Sequence, residues 1–473
     1  MNVQLRRTAV VALTMIIAIM VNVTWIMGFQ ADGLRDDPRN ARQFNRQYER
    51  DRGAILAGDL RVAYSAPNRD GKTFDRHYRE GEVFAPVTGY LGAFSKTGLE
   101  SAMNGVLDGT DGRVSVRGLV DWLTGELPKG ADVHTTIVPR AQRVAYRELA
   151  ASTTLQAAAV AVNARTGAIE VMASYPSFDP EDVATRDIAA AGNALQRLEG
   201  AAGNPLLNKA TRELYPPGSS FKIVTAAAAL ADGIAEDGTV PAGASYRLPG
   251  TNTVIGNSHD SGGCGLPRTT LVNAFAQSCN TTFAEIGAEE VGNAGMRERS
   301  AAFGYGERWE YAPGLRAVAS AFPDTDAAQT ALASYGQGQN VATVLQMALV
   351  AAAVANGGDL MRPRLVQKVT LRGSTLEETE PSRFGKAVSA AHAARLGEMM
   401  EAVVSTGTAT NLRGREVAGK TGTADVDGGA HNDRWFVGYS TSGPHAIAVM
   451  TQGAGFGGSV AGPIMAAIAD ALR

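Results

Sequence analysis

The chain opens with a long apolar run that a pair of cations precedes. Arg6 and Arg7 stand before residues 9–29, in which Asn22 is the one strongly polar side chain. A helix rises about 1.5 Å per residue, so the run can cross the roughly 30 Å hydrocarbon core of a membrane. A cleaved signal peptide would have a shorter apolar region that ends in an Ala-x-Ala-like site. We therefore predict an uncleaved single-pass plasma-membrane anchor over residues 1–30, with a cytoplasmic N-terminus and the rest outside.

Residues 31–150 have a different texture, in which short apolar patches interrupt polar and charged positions. We find no catalytic cluster in them, which favours an elongated extracellular scaffold. Near their end, Val133, Thr135 and Ile137 alternate with polar residues as in a strand, and residues 142–149 follow a helical pattern. We interpret this strand and helix as a hinge to the next domain.

Residues 151–473 predict an α+β domain, a mainly antiparallel sheet packed by helices, because strands come first and last and helices lie between them. Residues 248–268 are rich in Gly, Ser and Asn and predict a loop, whereas residues 269–290 predict one continuous helix. Further helices are predicted over residues 221–230, 343–356, 391–404 and 460–472, and strands over residues 157–163, 168–174, 417–423, 434–439 and 445–451.

Bulk composition argues against several kinds of partner. A length of 473 residues suggests two or more domains, and a net charge of −3 with 6% aromatic residues argues against a nucleic-acid surface. The six histidines have neither helical nor Cys/His ligand spacing, so we expect no metal. Residues 453–458 match Gly-x-Gly-x-x-Gly, but too little chain follows for a second strand and its acidic residue. We interpret them as a tight turn before the last helix and expect no cofactor.

The strongest chemical signal lies in residues 215–225, Tyr-Pro-Pro-Gly-Ser-Ser-Phe-Lys-Ile-Val-Thr, which hold the only Ser-x-x-Lys of the chain. Positions three apart share a helix face, so Ser219 would present its hydroxyl beside the Lys222 amine. A lysine can take a serine proton only if desolvation or nearby cations lower its pKa, and the alanine-rich helix that follows supplies an apolar setting. Ser220 lies about 200° around the helix from Lys222, so we expect its hydroxyl to point into packing.

A lone Ser-x-x-Lys also fits a helix cap followed by a solvated lysine, but two further motifs follow it. Ser278-Cys279-Asn280 is the only Ser-x-Asn, and Lys420-Thr421-Gly422 leads into Thr423 and the strand pattern of residues 434–439. This order of Ser-x-x-Lys, Ser-x-Asn and Lys-Thr-Gly resembles penicillin-binding proteins and serine β-lactamases. Together with the anchor, Arg52-Gly53-x-Ile55 and Gly336-Gln-Gly338, it makes the whole chain resemble class B penicillin-binding proteins.

The resemblance implies a penicillin-binding/β-lactamase-like transpeptidase domain preceded by an N-terminal pedestal or dimerisation-like domain over residues 31–150 and one transmembrane helix. It implies a D,D-transpeptidase that crosslinks peptidoglycan stem peptides through a serine acyl-enzyme and that β-lactams inhibit covalently. The implied partner is a membrane-embedded glycan polymerase of the shape, elongation, division and sporulation family. The implied catalytic residues are Ser219, Lys222, Ser278 and Asn280, and the implied substrate-binding residues are Lys420, Thr421, Gly422 and Thr423, with the backbone N–H groups of Ser219 and Thr423 as oxyanion hole.

Other interpretations remain beside this one. A D,D-carboxypeptidase forms the same acyl-enzyme with water as acceptor, and no motif separates the two. A non-catalytic β-lactam sensor or scaffold is less favoured, because only about seven residues precede the span and no motif residue is missing. A β-lactamase needs neither an anchor nor a pedestal. A second Lys-Thr-Gly at Lys96-Thr97-Gly98 lacks an alternating strand around it, so we interpret it as a scaffold turn.

The only two cysteines are Cys264 and Cys279. Two cysteines outside the cytoplasm commonly pair, and a bridge here would tether the second motif to the rim of a cleft. The alternative is two free thiols, with Cys279 buried and inert in a helix. We favour the disulfide.

Overall fold

The computed structural model describes residues 2–30, 48–69, 71, 73–93, 95–112, 129–153, 155–234, 238–258, 262–426 and 431–473. Residues 31–47 and 113–128 of the predicted pedestal and residues 259–261 of the predicted loop lie outside the described residues. The first helix, α1 (Asn2–Trp25), continues as a π-helical turn over Ile26–Gln30. Its segment Arg6–Gly28 has a mean hydropathy of 2.3 and is not buried, so it is long and apolar enough to cross a membrane.

Side-chain caps fix where the later helices begin. Thr343 accepts a hydrogen bond from the N–H of Gln346, and Ser389 accepts one from the N–H of His392. The helices predicted over residues 343–356 and 391–404 are thereby confirmed as α13 and α14. The helices after α1 are α2 Gly81–Thr88, α3 Gly98–Ala102, α4 Asn104–Leu107, α5 Pro139–Ser152, α6 Ile188–Glu199, α7 Lys209–Arg212, α8 Lys222–Ala231, α9 Leu271–Ala276, α10 Asn280–Glu285, α11 Gly292–Ala302, α12 Ala327–Ser334, α13 Val344–Ala355, α14 Ala390–Ser405 and α15 Gly457–Leu472.

The first part of the chain forms four strands of a six-stranded sheet, and a hairpin from the second part of the chain supplies the other two. Its strands are β1 Ile55–Ala57, β2 Leu60–Pro67, β3 Phe74–Tyr78, β4 Asp132–Thr135, β14 Val366–Leu371 and β15 Ser374–Glu378. The order is β15-β14-β4-β1-β2-β3, with β1 and β4 parallel and the other neighbours antiparallel. The sheet is therefore completed only when the chain returns at β14, far along the sequence.

A buried ion triad lies between this sheet and α3. The Glu100 carboxylate accepts from Nε of Arg52 at 2.8 Å and from Nε of Arg76 at 2.6 Å, and no side chain of the triad is more than 3% exposed. The hydroxyl of Tyr78 donates to Glu100 at 3.3 Å. Burial alone would raise the pKa of Glu100, but the two guanidinium groups outweigh it and the net shift is downward. Glu100 therefore stays ionised in the folded protein.

The second part of the chain is built on a five-stranded antiparallel sheet. Its strands are β5 Ala157–Asn163, β6 Ile169–Tyr175, β17 Val417–Val426, β18 His431–Ser440 and β19 His445–Gly453, in the order β17-β18-β19-β5-β6. Successive residues of β5 face opposite sides and six in a row are buried, so both faces of the sheet are covered. Helices α5, α13 and α15 pack on it. The predicted α+β architecture is confirmed, although α5, expected as a hinge, packs on β6.

Two predictions of local structure were wrong. The loop expected over residues 248–268 contains β9, which pairs with β8. The helix expected over residues 269–290 is broken after α9, because Ser278 takes a left-handed conformation, and it resumes as α10 and a π-helical segment, Ile286–Val291. The remaining strands are β7 Thr239–Pro241, β8 Ser245–Arg247, β9 Val254–Gly256, β10 Arg268–Thr270, β11 Glu310–Ala312, β12 Leu315–Arg316, β13 Asp359–Met361 and β16 Arg383–Lys386.

We predict that Glu100→Gln lowers the free energy of unfolding by about 3–5 kcal/mol, because it leaves two buried guanidinium groups without their counter-charge. Since the pKa of Glu100 is lowered on folding, its contribution is complete above the unfolded pKa of the carboxyl and is lost as the pH falls through the folded value. Urea-induced unfolding at several pH values measures both effects.

The matched control is Glu80→Gln, which removes the partly exposed ion pair with Arg143. This change should cost less than about 1 kcal/mol. Equal destabilisation by the two variants would mean that the buried triad of Glu100 stabilises the fold no more than the partly exposed pair does.

Candidate active site

The turn that carries Ser219 is held by close backbone contacts that only glycine permits. Gly218 begins a 3₁₀ turn, Gly218–Phe221, with φ +52. A Cβ on Gly218 would lie 2.7 Å from the carbonyl oxygen of Thr423, and a Cβ on Gly336 would lie 1.9 Å from the carbonyl oxygen of Gly218. The nucleophile turn is thus wedged between β17 and the segment that contains Gly336.

The two neighbouring serines face different surroundings, as predicted. Ser220 is fully buried and its hydroxyl donates to the carbonyl of Pro217 at 2.6 Å. Ser219 lines a cleft, and its Oγ is 3.1 Å from Nζ of Lys222. The expectation that Ser220 points into packing is therefore confirmed, and Ser219 is the serine with a base beside it.

Four oxygen atoms surround the Lys222 amine. Its Nζ lies 2.8 Å from the Ser278 carbonyl, 2.7 Å from Oδ1 of Asn280, and 3.1 Å from the Oγ atoms of both Ser219 and Ser278. A neutral amine has two N–H donors and one lone pair. Because the carbonyl and amide oxygens can only accept, they take the two N–H groups and leave the lone pair to the serine hydroxyls. The arrangement fits a lysine that acts as a base.

Burial and a second cation favour the neutral form of this lysine. The side chain of Lys222 is fully buried, and burial lowers its pKa well below the ordinary value, with the charge of Lys420 adding to the effect. Lys420 is itself fully buried, and burial lowers its pKa to about 7. Its Nζ donates to the carbonyl of Thr421 at 3.1 Å.

Ser278 sits at the end of α9 in a left-handed conformation, with φ 63. The N–H of Ser278 donates to the Phe275 carbonyl and the N–H of Cys279 donates to the Ala274 carbonyl, at 3.1 and 2.9 Å. This pair of bonds is the Schellman pattern, whose left-handed position glycine usually fills. The turn aims both the carbonyl and the hydroxyl of one residue at Lys222, which a continuous helix could not do.

The structure joins Cys264 and Cys279 in a disulfide, with the two Cα atoms 5.4 Å apart. Cys279 is the middle residue of the Ser-x-Asn motif and directly precedes α10, which starts at Asn280. The bridge thus ties the break between α9 and α10 to the neighbouring loop.

The cleft has a volume of about 910 Å³. Of the predicted site residues, Ser219, Ser278, Asn280, Thr421, Gly422 and Thr423 line it, and Lys222 and Lys420 are buried behind its wall. The sequence analysis missed further lining residues, including Tyr335, Thr408, Asn411, Asp425, Asn432 and Phe456. Strand alternation after Thr423 could have indicated Asp425, whereas Thr408 lies in a turn with no recognisable motif, although its hydroxyl contacts that of Thr421 at 2.6 Å.

The second Lys-Thr-Gly and the glycine-rich residues 453–458 both lie away from the Ser219 turn in sequence. Lys96-Thr97-Gly98 belongs to the first part of the chain, as expected, but it opens α3 at Gly98 instead of forming a turn. The glycines of residues 453–458 connect β19 to α15, and a Cβ on Gly457 would meet the carbonyl oxygen of Gly422 at 2.2 Å. This turn packs against the Lys-Thr-Gly strand.

Two known protein families match parts of this chain. Residues 157–470 match the penicillin binding protein transpeptidase domain, and residues 52–133 match the penicillin binding protein A dimerisation domain. These matches confirm the resemblance on which the site residues were chosen.

Curated relatives and solved structures agree with this. The chain is 37% identical to the peptidoglycan D,D-transpeptidase PbpA of Mycolicibacterium smegmatis, with 100% of this chain and 99% of the relative covered. It is 35% identical to the protein of the same name from Mycobacterium tuberculosis, again over 100% and 99%. The imipenem acyl-enzyme complex of penicillin-binding protein A from M. tuberculosis superposes with a TM-score of 0.85 and 35% identity, covering 90% of this chain and 100% of that one.

We predict that two substitutions at Ser278 differ in stability but slow acylation alike. Ser278→Gly relieves the left-handed strain and should be more stable than Ser278→Ala by about 1 kcal/mol. Both variants lack the hydroxyl beside Lys222, so both should be acylated more slowly by a fluorescent penicillin. Thermal unfolding and acylation rates separate the two effects, and an unchanged acylation rate in both variants would exclude a role for the hydroxyl.

Proposed function

The chain belongs to the penicillin-binding protein transpeptidase family, and we propose that Ser219 is the nucleophile with which it acts as a peptidoglycan D,D-transpeptidase. The observation that carries this proposal is the Lys222 amine, fully buried and 3.1 Å from the Ser219 hydroxyl. Acylation by β-lactams, which imitate the donor peptide, follows from the same chemistry.

The first half-reaction builds an ester on Ser219. The Lys222 lone pair takes the hydroxyl proton while Oγ attacks the carbonyl carbon of the penultimate D-alanine. Backbone N–H groups of Ser219 and Thr423 are our candidates for stabilising the oxyanion, because the Ser219 turn packs directly against Thr423. When the peptide bond breaks, the leaving D-alanine amine takes up a proton from Lys222, relayed by the Ser278 hydroxyl between them.

The substrate-binding side is the face of β17. We propose that Lys420, Thr421 and Thr423 receive the terminal carboxylate of the donor peptide, with the Lys420 charge as the attractive group. Gly422 leaves room for the nucleophile turn, since a Cβ there would lie 2.8 Å from the Pro217 carbonyl oxygen. In the second half-reaction an acceptor amine attacks the ester carbonyl and gives a proton to Lys222. The bond from the carbonyl carbon to Oγ of Ser219 then breaks, and Lys222 returns that proton to Oγ to restore the free hydroxyl.

We predict that Ser219→Ala abolishes covalent labelling by penicillin, whereas Ser220→Ala reduces it only through changed packing. Lys222→Ala should also abolish labelling although the Ser219 hydroxyl remains, because no base is left to take its proton. Intact-mass spectrometry followed by peptide mapping identifies the acylated residue. An adduct on Ser220, or undiminished labelling of Ser219→Ala, would overturn the assignment.

We also propose a single-pass topology with residues 2–5 in the cytoplasm and the catalytic cleft outside the plasma membrane. The support is Arg6 and Arg7 at the start of an exposed apolar helix. Reporter fusions placed after Leu60 should be active only with an extracytoplasmic reporter. Activity of a cytoplasmic reporter at that position, or a mature N-terminus near Gln30, would contradict the topology.

The glycan polymerase partner is a proposal from the family resemblance. A transpeptidase needs nascent glycan strands within reach, and the exposed apolar helix α1 offers a surface inside the membrane for a polytopic enzyme. Photo-crosslinking from residues of α1 in intact membranes tests this directly. Adducts formed only by control positions on the extracytoplasmic surface would count against contact through the anchor.

A further inference from the structure

The catalytic cleft carries charge at only one described position of its lining. Among the described residues that line it, Asp425 alone has a charged side chain, and that side chain is exposed. The amines of Lys222 and Lys420 lie buried behind the inner wall. The negative charge of the described cleft lining is therefore concentrated at Asp425.

The position of Asp425 follows from strand geometry. Thr421, Thr423 and Asp425 alternate along β17, and all three line the cleft, so they share one face of the strand. At about 3.3 Å per residue, Asp425 lies roughly 7 Å beyond Thr423. If the terminal carboxylate of the donor peptide binds at Thr421 and Thr423, then Asp425 can contact either a group farther along the donor peptide or the acceptor.

Two further side chains that carry oxygen atoms line the same cleft. Asn432 pairs with Asp425 across the β17–β18 ladder and also lines the cleft. Tyr335 lines the cleft, and burial together with the Asp425 charge raises its pKa to about 12, so its hydroxyl stays neutral. Within the described part of the chain, no hydrogen bond or ion pair engages the Asp425 side chain. A carboxylate in a cleft that also presents the neutral oxygens of Asn432 and Tyr335 suits a compact cation.

We propose that Asp425 is a specificity-determining residue that binds a primary ammonium group of the peptide substrate, with Asn432 and Tyr335 as additional acceptors. An ammonium offers three N–H donors and no acceptor, which matches three oxygens of this kind. This inference rests on the proposed function, and the ammonium bound at Asp425 is a second amine, distinct from the neutral amine that attacks the ester on Ser219. The ammonium belongs either to a side chain of the donor peptide or to the acceptor, and the chemistry at Asp425 is the same in both cases.

The test compares the full-length protein in detergent with its Asp425→Asn and Asp425→Glu variants. One arm uses a peptide thioester donor with a side-chain primary amine against the same donor with that amine acetylated. The other arm uses D-lysine against Nε-acetyl-D-lysine as acceptor. Wild type should prefer the free amine in one arm by about tenfold in kcat/KM, the scale of a charge-assisted hydrogen bond.

The preference should vanish in Asp425→Asn and persist in Asp425→Glu, and penicillin, which lacks the ammonium, should still acylate both variants. The matched control is Asp324→Asn, the same substitution at an exposed carboxylate outside the cleft lining, and it should behave as wild type. A preference that Asp425 controls in the donor arm assigns the ammonium to the donor, and one in the acceptor arm assigns it to the acceptor.

Three outcomes decide between this inference and the proposed function. An equal free-amine preference in wild type and Asp425→Asn, or no preference in either arm, overturns the inference. Loss of penicillin acylation in a folded Asp425→Asn protein also overturns it, because Asp425 would then serve the first half-reaction. Penicillin acylation that persists in Ser219→Ala overturns the assigned nucleophile, and it does so without reference to the two amine arms.

Discussion

The chemistry of the site depends on two buried lysine amines. Lys222 and Lys420 are both fully buried, and among the described residues neither has a carboxylate as an ion-pair partner. Their nearest aromatic neighbours are the rings of Phe283 and Phe275, 5.6 and 5.7 Å from the respective Nζ atoms. Burying an ammonium without a counter-ion is unfavourable, so burial lowers the pKa of both lysines, and the charge of Lys420 lowers that of Lys222 further. The fold thereby produces a base from a residue that is ordinarily an acid.

A neutral amine is held by hydrogen-bond geometry alone, so the oxygens around it must be rigidly placed. The left-handed turn at Ser278 supplies two of them, and Asn280 at the start of α10 supplies a third. The Cys264–Cys279 disulfide ties this turn to its neighbouring loop from the other side. Backbone strain at Ser278 is tolerated because the helix end, the bridge and the lysine determine it together.

Much of the site could be predicted because its catalytic residues lie in short sequence motifs. Ser219 and Lys222 share one turn of chain, and α13 and α14 follow directly from apolar periodicity and caps. The break at Ser278 could not be predicted, since the residue preference at that position favours glycine and residues 269–290 read as one helix. Pairing of β14 with β4 was also out of reach, because strand partners far apart in sequence leave no local signal.

The hairpin β14–β15 is synthesised long after the other strands of the first sheet. Roughly 230 residues separate Thr135 at the end of β4 from Val366 at the start of β14. At about 5–20 residues per second of synthesis, the edge of β4 waits on the order of ten seconds or more for its neighbour. An open strand edge is a template for mispairing during that interval. During synthesis there is therefore a period in which β4 has a neighbour on one side only, and the hairpin β14–β15 from the catalytic part of the chain fills the other side.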